Sequence, residues 1–341
     1  MREPVALSVG IPTFNQATFI EQTLDSLLRQ TQPAYEIVVS DNHCTDATPE
    51  ILGRFGDRIR VVRPPRHLPM GESWSFLVEQ LRGTWLSLLS SDDLALPRFV
   101  ETLTRMAGQS ERAVLVGGGY RVIDAAGRPL KDKHFRGSPP ECDYPETLRA
   151  QLRGPRTSFA AFAARTEAVR AAGGFPAYQM TSDWGLWLHL APRGSFLSTS
   201  EIFSEYRQGH HSREVERARL PLWIKDETDI YTRLLPELIA THGGVRPEEV
   251  QAASHARCRA RLALASQLFD PSEREEIASS LATWARTAGL EAELEALRRG
   301  EAVRRSDRGA LRGALRELGR DLRTRLGLRR RAYSSPETPP P

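Results

Sequence analysis

The chain has 341 residues, 40% hydrophobic and 26% charged, which is ordinary for a soluble globular protein with room for one large domain and a smaller appendage. No run approaches the roughly 18 apolar residues of a membrane-spanning helix. Met1–Ser8 lacks the apolar stretch of a secretory signal, and three scattered cysteines (Cys44, Cys142, Cys258) argue against a disulfide framework or a cysteine-rich zinc site, so a cytoplasmic protein is expected. The net charge of +4 is unevenly spread: Arg298–Arg331 holds thirteen arginines against four acids, leaving the remainder acidic, and no nucleic-acid partner is expected.

The first half alternates in βαβ fashion. Val5–Ile11 reads as a buried strand stopped by Pro12-Thr13-Phe14-Asn15, and Phe19, Ile20, Leu24, Leu27 and Leu28 share one helical face. Glu36–Ser40 reads as a strand before the polar turn Asp41–Thr45, Pro49–Phe55 as a short helix, and Arg58–Val62 as a third strand. Trp74–Leu81 has helical spacing, and Trp85–Leu89 is a fourth strand ending in Ser90-Ser91-Asp92-Asp93, with a helix expected after Pro97. Val114–Val116 and Tyr120–Ile123 look like two strands, Asp124–Tyr144 like a long polar loop, and Phe159–Ala164 like a small-residue strand. A helix then leads to Gly173-Gly174-Phe175, where the glycines suit a tight turn, and Ser182–Leu190 returns to helical spacing.

From about Leu220 the pattern is helical throughout. Leu311, Leu315, Leu318, Leu322 and Leu326 form one stripe, beside Arg312, Arg316, Arg320 and Arg323. Such a basic amphipathic helix suits peripheral contact with an anionic membrane; dimerisation or docking against the rest of the chain are equal alternatives. The proline-rich Ser334–Pro341 is expected to be disordered. The expected division is 1–215, 216–333 and 334–341.

Ligands of parallel α/β sheets sit outside the carboxyl ends of the strands. Three such ends carry polar residues: Thr13 and Asn15, Asp41 and Asn42, and Asp92-Asp93. Taken singly, each reads more readily as a turn residue or helix cap than as a ligand; together they point to one site. Gly117–Gly119 has neither the Walker lysine nor dinucleotide spacing and is not read as a phosphate loop.

The segments LSVGIPTFNQATFIEQTLDSLLRQT, YEIVVSDNHCTDATPEIL, Gly71 and GTWLSLLSSDDLALP, followed by AAGGFPAYQMTSDWGLWLHLA and YRQGHHS, resemble family-2 inverting glycosyltransferases in that order, over about residues 5–212. The resemblance implies an α/β, GT-A-like (Rossmann-like) mixed sheet with flanking helices, here with a helical C-terminal extension. It implies nucleotide contacts at Pro12, Thr13, Asn15, Asp41, Asn42, Gly71 and Asp92, the donor being a UDP-, GDP- or dTDP-linked sugar. It implies a Mg²⁺ or Mn²⁺ site at Asp92, Asp93 and His210. A hard divalent ion suits a leaving diphosphate because it needs few protein ligands.

Asp183 is the implied catalytic base, placed to take the proton of an attacking acceptor hydroxyl. Trp184 and Trp187 are candidates to stack on an acceptor sugar, although their helical spacing favours core packing for at least one of them. Arg207 is a candidate phosphate partner, with an ordinary ion pair as the alternative. Two positions depart from the family's pattern: Ser90 stands where a first Asp is frequent, and Ser182 where Glu often precedes the base. The function expected is sugar transfer from a nucleoside diphosphate to a hydroxyl of a glycan or lipid-linked acceptor, in bacterial surface polysaccharide synthesis. The alternatives are a catalytically silent nucleotide-sugar-binding or scaffold protein and a nucleotidyltransferase.

Overall fold

The structure, a computed structural model, describes residues 5–134, 141–208 and 213–303. His210, His211 and everything from Arg304 on, including the leucine stripe and the proline-rich end, lie outside these residues.

The chain begins with β1 (Leu7–Thr13), α1 (Ile20–Leu28), β2 (Glu36–Asp41), α2 (Thr48–Gly53), β3 (Arg60–Val62), α3 (Met70–Gln80) and β4 (Trp85–Leu88). β1 lies parallel to β2 and β4, and β2 parallel to β3. β1 runs through Pro12 instead of stopping there. Even-numbered residues of β1 face β4, as the bond from Leu89 N–H to Gly10 O shows. β4 has ended by that level, so the ladder asks nothing of the missing proline N–H.

Next come β5 (Leu94–Ala95), α4 (Phe99–Ala107), β6 (Ala113–Ile123), β7 (Pro129–Lys133), β8 (Glu141–Cys142), α5 (Glu146–Gln151), β9 (Phe162–Arg165), α6 (Thr166–Ala171), α7 (Ser182–Leu190) and β10 (Ser195–Arg207). One mixed sheet has the order β3-β2-β1-β4-β9-β6-β10-β5, with β7 on β6 and β8 on β10. β9 runs antiparallel between β4 and β6, while β10 is parallel to β6.

Two expectations fail in this middle region. The two strands read at 114–116 and 120–123 are one strand, continuous through Gly117–Gly119. A Cβ on Gly117 would come within 2.5 Å of Thr157 Cγ2, and one on Gly118 within 2.5 Å of Phe203 Cε1, so these glycines admit neighbouring side chains and do not break the strand. The segment read as the loop 124–144 contains β7 and β8. Residues 195–207, to which the pattern assigns no element, form the long strand β10.

Alternate residues of each strand feed two cores. Ile37, Val39, Trp85, Val116 and Ala163 join α1 and α4 on one face, and Val38, Leu86, Leu88, Leu115 and Ala164 join α3 and α7 on the other. The second core continues without interruption into α8 (Arg213–Asp229), a π-helical turn at Ile230–Leu234, α9 (Leu235–His242), α10 (Pro247–Leu268), α11 (Arg274–Ala288) and α12 (Glu291–Arg298). Tyr231 stacks on Trp284 and meets the edge of Trp184. Among the described residues no helix is long and apolar enough to cross a membrane.

Glu227 of α8 is fully buried and bound by two arginines of α10, Arg257 at 2.6 Å and Arg261 at 2.7 Å. Removing the acid would leave two cations facing each other without a counter-charge. Glu227→Ala is expected to cost about 3 kcal/mol, the low end for breaking a buried pair, because both arginines keep some exposure. Urea unfolding of the two proteins would measure it; a change under about 0.5 kcal/mol would refute this account of how α8 is held.

Candidate active site

The carboxyl ends of β1 and β2 are tied into one platform. Asn15, in the left-handed region at φ 51°, accepts from Thr45 N–H through Oδ1 at 2.8 Å, a conformation Asn tolerates better than most residues. Cys44 Sγ accepts from Asn15 N–H at 3.2 Å, and burial pushes the thiol up to about 11, so it stays neutral. Thr13 O accepts from Asn42 N–H at 2.9 Å. Asp41 is buried; its Oδ1 accepts from Cys44 N–H, three residues on, at 2.8 Å and closes the turn after β2, while Oδ2 faces Arg63 at 3.6 Å. Beside it lies a cavity of about 400 Å³ walled by Pro49, Leu52, Ile59 and Val61. Apolar walls with one acceptor are the setting in which a flat heterocycle is held and oriented.

Several residues around this mouth carry no motif signal. Arg63 lies 3.4 Å from His43, and Phe14, 45% exposed, rests on the His67 ring at 4.5 Å. These add cationic and aromatic character where a nucleotide would enter.

Asn42 connects the platform to α3. Its side-chain amide bonds both the N–H and the C=O of Leu68, at 2.9 and 2.8 Å, two residues before α3 starts. Gly71 then packs against the loop before α7: a Cβ there would lie 2.3 Å from Pro176 O and 2.8 Å from Ser182 Oγ. Gly71 is thus a close contact between α3 and the start of α7. Gly173 and Gly174, at φ 85° and 79°, make the tight turn expected of them.

Asp183 stands in the first turn of α7, half-buried, with Oδ1 accepting from Trp184 N–H at 2.8 Å. Burial pushes its carboxyl up to about 6, and that N–H only partly offsets the effect. A carboxylate titrating there is suited to take a proton near neutral pH. Ser182 is buried, and its hydroxyl is engaged with the carbonyls of Pro176 and Tyr178 at 2.7 and 2.6 Å. The residue that replaces the family's frequent Glu therefore serves the loop.

After β4, Asp92 and Asp93 part company. Asp92 is partly exposed. Asp93 is fully buried: Oδ1 accepts from Arg207 N–H at 2.9 Å and Oδ2 has no hydrogen-bond partner. Burial, and then the charge of Asp92, raise its carboxyl well above the usual range. Asp93 consequently braces the end of β10 and does not offer itself to an ion.

Three further expectations are corrected. Trp184 and Trp187 are both fully buried, their indole N–H groups donating to Gln151 O at 2.9 Å and Thr157 O at 3.2 Å, so neither can stack on a sugar. Arg207 is buried as well. Its guanidinium donates inward to the carbonyls of Asp92, Asp124 and Ala125 and to Gln22, and lies over Phe19, so it is not turned out toward a phosphate.

Among the described residues no group of three or more His, Cys, Asp or Glu side chains is arranged to hold a metal ion. The donor set still fits a Mg²⁺- or Mn²⁺-like ion. One accessible carboxylate, Asp92, at the edge of the sheet is enough for a cation that takes its remaining oxygens from phosphate and water.

Residues 8–172 match the family described as Glycosyl transferase family 2. The putative teichuronic acid biosynthesis glycosyltransferase TuaG of Bacillus subtilis is 26% identical over 211 residues, 60% of this chain and 80% of that protein. Other curated relatives are matched over only 18–41% of their own length. Among solved structures, TarS 1-349 of S. aureus in complex with UDP-GlcNAc superposes with a TM-score of 0.52 at 15% identity, covering 87% of this chain and 93% of that one. The mannosyltransferase PcManGT of Pyrobaculum calidifontis, in complex with GDP-Man and Mn2+, gives 0.51 at 16% identity and covers 86% of each chain. At these identities the two structures speak for the fold alone, a GT-A-like mixed sheet with flanking helices, and the likeness to glycosyl transferase family 2 rests on residues 8–172.

Proposed function

We propose that the protein transfers a sugar from a nucleoside diphosphate to a hydroxyl of a glycan or lipid-linked acceptor, with inversion at the anomeric carbon. The observation that carries this reading is a chain of contacts. Asp41 and Asn42 close the β2 end, Asn42 holds Leu68, and Gly71 abuts Ser182, so the base-like Asp183 stands one residue from a contact with the donor-side helix. Surface polysaccharide synthesis is the proposed context, supported by the likeness to TuaG.

In this reading the Asp41 cavity takes the nucleotide base, and Asp92 is the residue that would hold a divalent ion. Such an ion, when bound, neutralises the charge that grows on the leaving group. The acceptor oxygen forms its bond to the anomeric carbon as the bond to the diphosphate oxygen breaks. The nucleoside diphosphate leaves with that electron pair, and the hydroxyl proton passes to Asp183. Residues 1–215 would carry this chemistry, with the helices α8 to α12 supporting it.

The test is calorimetry with UDP-GlcNAc, GDP-mannose and dTDP-glucose, with and without Mn²⁺, on the full chain. Metal-dependent binding confined to one nucleotide class is expected. A folded protein that binds none of them would favour the scaffold alternative.

A further inference from the structure

The loop that delivers Asp183 is held from two sides. On the sheet side, Ser75 of α3 exchanges hydrogen bonds with both backbone groups of Phe175, at 2.9 and 3.0 Å. On the other side the partner is α8, some 45 residues further along the chain. Asp226, 4% exposed, directs one oxygen at three donors: Met180 N–H at 2.7 Å, Thr181 N–H at 3.1 Å and the Thr181 hydroxyl at 3.2 Å. One turn on, Asp229 accepts from the Tyr178 hydroxyl at 2.5 Å and is itself held by Arg233 at 2.6 Å.

Thr181 is the N-cap residue of α7, yet its hydroxyl makes no cap. It is turned to Asp226 instead, so the direction in which α7 begins is set from α8. α8 cannot shift to follow the loop, because Glu227 pins it to α10. Charge-assisted bonds from a carboxylate to backbone N–H groups are short and directional, which suits holding a loop in one geometry.

We infer that Asp226 is a positioning residue for the transfer reaction: it fixes Met180 and Thr181 so that Asp183 is presented, half-buried, to the acceptor hydroxyl. This makes the C-terminal helices part of the working site without their touching a substrate. The inference rests on Asp183 being the base proposed above. Small displacements of a reacting group cost large factors in rate, so a residue that only holds a loop can govern turnover.

The experiment uses the full chain and the variants Asp226→Asn and Asp226→Ala. Two readouts are made: amide hydrogen exchange, and nucleoside diphosphate release from UDP-GlcNAc or GDP-mannose with Mn²⁺, water replacing the acceptor, from pH 5 to 8. In Asp226→Ala, exchange at residues 178–184 should rise at least tenfold while the β1–β4 region is unchanged. Turnover should fall about 10–100-fold with donor KM unchanged. The acid limb of the pH profile should move to lower pH, because a loosened loop lets water reach the Asp183 carboxyl and relaxes its raised pKa. Asp226→Asn keeps one acceptor oxygen, should be intermediate, and serves if the alanine variant does not fold.

Unchanged exchange at 178–184 overturns the inference, as does a slower enzyme whose acid limb stays in place. Where neither donor turns over, exchange alone decides: local loss supports the clasp and retained protection refutes it. Asp183→Asn is run beside them. If it turns over like the wild type, the base assignment fails, while the grip on the loop is still judged by exchange.

Discussion

Replacing Asp183 with asparagine is expected to lower turnover by about 10²–10⁴-fold while leaving nucleotide affinity within about twofold of wild type. Asparagine keeps the shape and can still accept from Trp184 N–H, but it cannot take a proton. The wild-type profile should show why the charge matters. With the carboxyl pushed up to about 6 by burial, the ionised base is the dominant form above that pH and is lost as pH falls through it. Turnover should drop about tenfold per unit below pH 6, and the residual activity of the asparagine variant should lack this limb. Nucleotide release against pH, with binding measured separately by calorimetry, checks both. An asparagine variant with wild-type turnover, or one that loses donor affinity in step with its rate, would place the base elsewhere.

The second large effect is expected at Asp92. Asp92→Ala should abolish the Mn²⁺ dependence of donor binding and reduce turnover by on the order of a hundredfold or more, since an ion on a leaving diphosphate contributes several kcal/mol to the transition state. Asp93 makes the informative neighbour. Its carboxylate braces Arg207 N–H from a fully buried position, so Asp93→Ala should lower the thermal midpoint, whereas Asp92→Ala should leave it nearly unchanged. Comparing melting curves and donor titrations of the two variants separates the roles. Equal loss of metal-dependent binding in both, at equal stability, would mean that both carboxylates reach the ion.

Much of the donor half was legible from the sequence because its signals are local. Short apolar runs such as Ile37–Val39 and Leu86–Leu88 are what strands buried on both faces look like, and each ends in a polar cluster at the edge where ligands sit. β10 was illegible for an equally physical reason. Its register against β6 shifts at three places, so the in–out alternation that marks a strand is broken within Ser195–Arg207. Gly117–Gly119 misled because glycine ordinarily interrupts a strand, and only the structure shows Thr157 and Phe203 filling the vacated positions.

Within the site, the pattern singled out candidate side chains but not which way they face. Asp92 and Asp93 are adjacent and alike in sequence, yet one is partly exposed and the other sealed. Arg207 looked like a phosphate partner because an arginine's spare donors are visible in a sequence, whereas the carbonyls of Asp92 and Ala125 that consume them are not. Asp226 left no trace at all. Two of its three donors are main-chain N–H groups, which every residue but proline possesses, and the third is one threonine hydroxyl among many, so nothing at 180 or 181 announces the contact.

The unbroken core that joins the sheet to the C-terminal helices bears on how such a chain can be inherited. A recombination joint near residue 213 would divide Trp184 from Tyr231, Tyr178 from Asp229 and the loop at 180–181 from Asp226. The two halves are therefore expected to descend together, and a graft of foreign helices onto this sheet would have to reproduce those pairings before it gained anything. Variation in what the protein acts upon is more easily accommodated in loops that cross no such seam.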